Sequence, residues 1–226
     1  MLFLAVFCGF LAEYTLEHKI EKTREKQFIQ SLLNDLKADT ANITALNAFR
    51  LNIFNRSDSL FDLLTSGSYT EKGFEIYYHA SSLSRRAFFY STDGTMQQLK
   101  NSGGLRLISN KQIVDSIQAY DVLYRSILQI QALEEDQVIK YRELASKIFE
   151  ASTFRKFFRG NLNKFRDSLM LTTLKLKQND PILINELSNS LSYRTGNSFR
   201  IFSDLEVLKR KATDLLTLIK KEYQLK

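Results

Sequence analysis

Two stretches of this chain carry side chains whose types and spacing could do chemistry. Residues 154–166 read FRKFFRGNLNKFR and hold Arg155, Lys156, Arg159, Lys164 and Arg166 without an acid. Cationic groups interleaved with phenyl rings can bind a nucleic-acid strand by phosphate contact and stacking. They can equally bind anionic lipid headgroups or an acidic protein. The spacing favours a plainer use. Phe154, Phe157, Phe158, Leu162, Phe165 and Leu169 fall on one helical stripe, which predicts core with the basic residues as a solvated face. Nucleic acid is the least favoured of these partners.

The second stretch, residues 74–107, places Tyr77, Tyr78, Arg85, Arg86 and Arg106 near His79, Gln97 and Gln98. Aromatic rings with guanidinium and amide groups can line a small-molecule pocket. The competing expectation is an irregular cap packed on helices. Catalytic signatures are missing. His18 and His79 are the only histidines, and neither has a partner at metal-ligand spacing. No Gly-rich phosphate loop occurs. Asp35 and Asp39 share a helix face, but the Glu-x-x-His motifs of a carboxylate metal site are absent. The sequence predicts a non-enzymatic protein without cofactor or metal.

The elements that hold these residues read as helices. The chain of 226 residues has 8 Gly and 1 Pro, too few breakers for a turn-rich sheet protein. A hydrophobic share of 44% is enough for a core. The net charge of +7 is uneven: residues 151–226 carry 15 Lys and Arg against 7 Asp and Glu. That places the basic surface in the C-terminal third.

Residues 17–56 predict one long helix with Ile29, Leu32, Leu33, Leu36, Ile43 and Leu46 on its inner stripe. Ser57 predicts the cap of a short helix over 58–64. Helices follow over 71–87 and 95–102, the latter closed by Gly103-Gly104. Residues 109–112, Ser-Asn-Lys-Gln, form a capping-box pattern. In the helix that follows, Ile113, Ile117, Tyr120, Tyr124 and Ile127 keep heptad spacing. Gln131 and Glu134 interrupt it as a polar layer before Val138 and Tyr141. A helix over 152–177, a start at Asp180-Pro181, a turn at 195–197 and a final helix over 198–223 complete the chain. The expected fold is all-α: a long-helix antiparallel bundle over 17–226 preceded by an N-terminal partial transmembrane helix over 1–16.

That anchor rests on residues 2–12, LFLAVFCGFLA, which run uncharged into a charged helical stretch. A span needs about 20 apolar residues, so this block predicts the exit half of a membrane helix. A signal peptide or a buried first helix fits less well. Lipid attachment at Cys8 is rejected because bulky Phe7 precedes it. As the only cysteine, Cys8 cannot form an intrachain disulfide.

Residues 10–39 and 95–121 resemble a family of uncharacterised bacterial single-pass membrane-anchored all-helical proteins. The carrying residues are Ala12-Glu13, Arg24-Glu25-Lys26-Gln27 and QLKNSGGLRLI at 98–108. The resemblance implies one span, a helical body in the periplasm and no known activity. The local charge pattern points the other way, since Lys19, Lys22, Arg24 and Lys26 follow the apolar block. The functional expectation is a membrane-tethered partner-binding, signalling or scaffold module, its partner an unidentified protein. The alternative is a small-ligand-binding helical domain, or a bundle whose basic third binds anionic lipid or nucleic acid.

Overall fold

With no proline before residue 181, nothing forces the first helix to stop at Ser57, and it runs on to Thr65. A computed structural model describes residues 2–67, 69, 71–158 and 174–225. The helices are α1 (Leu2–Thr65), α2 (Gly73–Ser82), α3 (Gly94–Asn101), a 3₁₀ turn (Gly104–Leu107), α4 (Lys111–Ile148), α5 (Ala151–Phe158) and α6 (Pro181–Glu222). No strand occurs among the described residues. The protein is all-helical, built on long packed helices.

Several expected boundaries are corrected. Ser57 is not a cap: α1 continues through it, and its buried hydroxyl pairs with Thr195 Oγ1 at 2.8 Å. The turn expected at 195–197 is absent, because Gly196 lies inside α6. Tertiary packing overrides both local signals. The cap of α4 is Asn110 rather than Ser109. Its Oδ1 accepts from the Gln112 N–H at 2.9 Å, and so satisfies a first-turn donor. Residues 174–177 are not helical; the Lys177 N–H donates to the Ile148 carbonyl at 2.9 Å. The Asp180-Pro181 start is as expected, with Asp180 Oδ1 accepting from the Ile182 N–H at 2.8 Å.

The chain divides into two compact units. The first comprises Met1–Ile43, Tyr90–Arg125 and Glu206–Lys226. It buries Ile29, Leu32 and Leu36 of α1, Ile113 and Ile117 of α4, and Leu208, Ala212 and Leu215 of α6. Two buried carboxylates fasten it. Glu25 Oε1 accepts from the Ser109 N–H at 2.9 Å and the Tyr223 hydroxyl at 2.6 Å. Asp39 accepts from the Ser91 hydroxyl, from the Thr92 N–H at 2.6 Å and from the Tyr120 hydroxyl at 2.5 Å. Glu25 meets the start of α4 and Asp39 its third turn, so α1 and α4 run in the same direction here. This corrects the antiparallel expectation for the α1–α4 pair.

The second unit comprises Thr44–Phe89 and Ser126–Leu205. Its core joins Leu60 and Leu64 of α1, Ile76 and Tyr77 of α2, Tyr141 and Ile148 of α4, Phe157 of α5, and Leu187 and Leu191 of α6. Ser57 meets Thr195, and Phe54 meets Phe199 with ring centroids 6.1 Å apart. In this unit α1 and α6 are antiparallel. The polar layer of α4 also has its partners here. Glu134 forms a two-pronged pair with Arg50 at 3.1 Å, both nearly inaccessible.

Candidate functional site

Two features of the first unit are left without cover or partner. One is the start of α1. Every residue from 3 to 24 is exposed, including Phe3 at 82%, Phe10 at 65% and Tyr14 at 59%. Phe3 and Phe7 stack along the helix with centroids 6.4 Å apart. The apolar run of 2–12 is about 16 Å of helix, against roughly 30 Å of hydrocarbon core. No helix among the described residues is long and apolar enough to cross a membrane. The transmembrane helix expected from the sequence is therefore not supported; charges from Glu13 onward end the apolar run.

The other feature is a cleft of about 540 Å³. Glu21, Arg24, Gln27, Phe28 and Ser31 of α1 form one wall. Gln98 of α3, Ser102, Gly103, Gly104, Arg106 and Leu107 form the other. The second wall falls in the 74–107 stretch, the first belongs to neither candidate stretch of the sequence, and Glu25 ties the two walls by holding the Ser109 N–H. The glycine pair shapes the second wall. Gly103 has φ +68°, a left-handed conformation that favours glycine. A Cβ on Gly104 would stand 3.3 Å from Phe28 Cε2 and 3.2 Å from Leu99 Cδ2. Hydrogen there lets the turn close onto the Phe28 ring. Among the described residues, no hydrogen bond or ion pair engages the side chain of Arg24, Arg106 or Glu21.

The sequence-predicted ligand residues separate. Arg106 lines this cleft, whereas Tyr77, Tyr78, Arg85 and Arg86 belong to the second unit. Tyr77 is core: its hydroxyl donates to the Lys175 carbonyl at 3.0 Å and accepts from the Glu150 N–H at 2.8 Å. Burial pushes its phenol above the ordinary range. Tyr78 lies under the Arg56 guanidinium, 4.2 Å from the ring centroid, and accepts from it at 2.9 Å. Arg85 offers its carbonyl to Arg194 at 2.9 Å. Arg86 pairs with Glu135.

Of the basic stretch, Arg155 and Lys156 are exposed on α5. Of the stripe expected as core, Phe157 is buried and Phe154 half-buried, but Phe158 is exposed, and Leu162, Phe165 and Leu169 lie outside the described residues. Arg159, Lys164 and Arg166 lie outside the described residues. Arg24 stands out in the sequence through the resemblance and the charges after the apolar block, not as a ligand-binding candidate. Arg50 and Arg194 gave no sequence signal, being single cations within helical patterns. Arg194 is 1% exposed, its Nε and Nη1 have no hydrogen-bond partner among the described residues, and burial lowers its pKa. No group of His, Cys, Asp and Glu able to hold a metal ion occurs among the described residues. In comparisons with known proteins, no family, curated protein or solved structure matches the chain.

Proposed function

We propose that this protein is a non-enzymatic helical module held at a bacterial membrane through the start of α1, with its body in the periplasm and a protein as its partner. The observation that carries the reading is the uncovered apolar surface at residues 3–11, continuous with a helix whose later turns bury one face. A phenylalanine moved from water to an apolar phase gains about 1.5–3 kcal/mol. Phe3, Phe7 and Phe10 together therefore favour lipid strongly. Tyr14 follows at the position where an amphipathic ring suits a membrane interface. The unbroken helix offers a way to pass a change of position to the packed turns beyond.

Flotation of the purified full chain with phosphatidylethanolamine–phosphatidylglycerol vesicles tests the tether. The chain should rise with the vesicles, and the triple substitution Phe3→Glu, Phe7→Glu, Phe10→Glu should leave it at the bottom with an unchanged helical spectrum. Failure of the unaltered chain to float refutes the tether. Efficient oxidative crosslinking through exposed Cys8 would instead assign this face to a second copy. Protease access from the periplasmic side tests the placement of the body.

A second reading, a ligand-binding domain, is favoured by one specific observation, the cleft that Arg24 and Arg106 share.

A further inference from the structure

We propose that the cleft between α1 and the Gly104–Leu107 turn binds a small organic anion, its carboxylate or phosphate head taken by Arg24 and Arg106 and its apolar body laid against Phe28 and Leu107. The inference deepens the ligand-binding reading and stands apart from the membrane tether.

Three observations and one chemical preference point the same way. Both guanidinium groups line one cavity without a protein partner among the described residues. A guanidinium presents a planar fork of donors that matches an oxyanion better than a lysine ammonium does. Gln27, Gln98 and Ser31 add hydrogen-bonding groups to the same walls, while the Ser102 hydroxyl is already given to the Gln98 carbonyl at 2.6 Å. The volume, about 540 Å³, falls within the range of small-molecule sites. A lone ion would leave most of it to water, and a macromolecule would not enter.

The charge balance narrows the ligand. The lining holds two guanidinium groups, Arg24 and Arg106, and one carboxylate, Glu21, so it carries one net positive charge. A head with one or two charges suits it, whereas a polyphosphate would meet Glu21 repulsively. The walls are held from outside the cleft. Glu25 fixes one to the other through Ser109, and Gly104 sets the approach to Phe28. Neither tie uses a cleft cation, so Arg24 and Arg106 are removable without undoing the fold.

The test titrates the full chain with phenyl phosphate and, separately, benzoate, following backbone amide resonances. Phenol serves as the neutral control. Saturable shifts should appear at Gln27, Phe28, Gly103 and Gly104 with one or both anions, and not with phenol. The two anions separate a phosphate head from a carboxylate head. Arg24→Ala and Arg106→Ala should each weaken binding about tenfold or more, the expected loss of a charge-assisted hydrogen bond. Arg210→Ala, at an exposed position of the same unit, should leave it unchanged. Glu21→Gln should bind equally or more tightly. The proposal is overturned by the absence of saturable binding for both anions. Affinity unchanged in the Arg24→Ala, Arg106→Ala double variant overturns it too, as does an equal loss in Arg210→Ala or weaker binding in Glu21→Gln.

Discussion

Gln131 holds both backbone polar groups of Phe89: its Oε1 accepts the Phe89 N–H at 2.7 Å and its Nε2 donates to the Phe89 carbonyl at 3.1 Å. The side-chain amide thus does for this irregular residue what a neighbouring strand would do. Gln131 is 2% exposed and Phe89 likewise, so water is a poor substitute. Gln131→Leu keeps the volume and removes both hydrogen bonds. The expected cost is about 1–3 kcal/mol, read as a lower urea midpoint with an unchanged slope.

Arg50 and Glu134 form the other half of that polar layer. Arg50 Nη2 also donates to the Ala87 carbonyl at 2.8 Å. Glu134→Ala leaves a buried guanidinium without its counter-charge, and the expected loss is about 3–5 kcal/mol. Arg50→Met combined with Glu134→Leu removes the stranded charge as well. The double variant should therefore be more stable than the Glu134→Ala single variant. Chemical denaturation of both variants and the unaltered chain checks the order.

These partners explain what the sequence could and could not reveal. Helical periodicity identified the buried face of α4, and Ile113, Ile117, Tyr120, Tyr124 and Ile127 are all buried. It also marked Gln131 and Glu134 as a break in that face. Period carries no information about the partner, and Phe89 and Arg50 lie 42 and 84 residues away along the chain. Local turn signals misled for a related reason. Ser57 and Gly196 resemble boundaries only when their neighbours are unknown; packing on both sides carries the helices through them. For the cleft, Arg106 was legible as a candidate and Arg24 was not, because their meeting depends on the Glu25–Ser109 tie.

Two glycines should respond to alanine with opposite signs. A Cβ on Gly73 would collide with the Leu174 carbonyl oxygen, a backbone atom that cannot turn aside. Gly73→Ala must displace residue 174 or α2, at a cost of about 1–3 kcal/mol or more. Gly196 sits within α6 with nothing inside 4 Å of its Cβ position. Gly196→Ala should raise stability by about 0.5–1 kcal/mol, the helix-interior difference between the two residues. Thermal midpoints of the two variants should move in opposite directions.

His79 ties stability to mild acid. Burial lowers its pKa most, the Arg56 charge lowers it further, and Glu75 partly opposes them. In the unfolded chain the imidazole titrates near 6.5, so its folded pKa lies below that value. Its contribution is complete above about pH 6.5 and is lost as pH falls through the folded pKa, because the unfolded chain takes up the proton more readily. His79→Gln should flatten the fall in urea midpoint between pH 7.5 and pH 5 relative to the unaltered chain. Identical profiles would show that His79 protonates as easily in the fold as outside it.

Tyr120 sets the opposite limit. Its phenol is raised far above the ordinary range, first by burial and then by the adjacent Asp39 carboxylate, to which its hydroxyl donates. The Ser91 hydroxyl, also bonded to Asp39, opposes the shift, and Tyr124 adds to it. The unfolded phenol ionises near pH 10. Stability from this group is therefore complete below about pH 10. Above it the unfolded state alone releases a proton, and about 1.4 kcal/mol is lost per pH unit until the folded phenol also ionises. Tyr120→Phe should begin less stable at neutral pH, since Asp39 loses a donor, and should fall less steeply above pH 10. Urea midpoints between pH 8 and pH 11, with phenolate absorbance followed in parallel, measure both slopes. Parallel curves for the two proteins would mean that the Tyr120 proton is released in the folded state at ordinary pH.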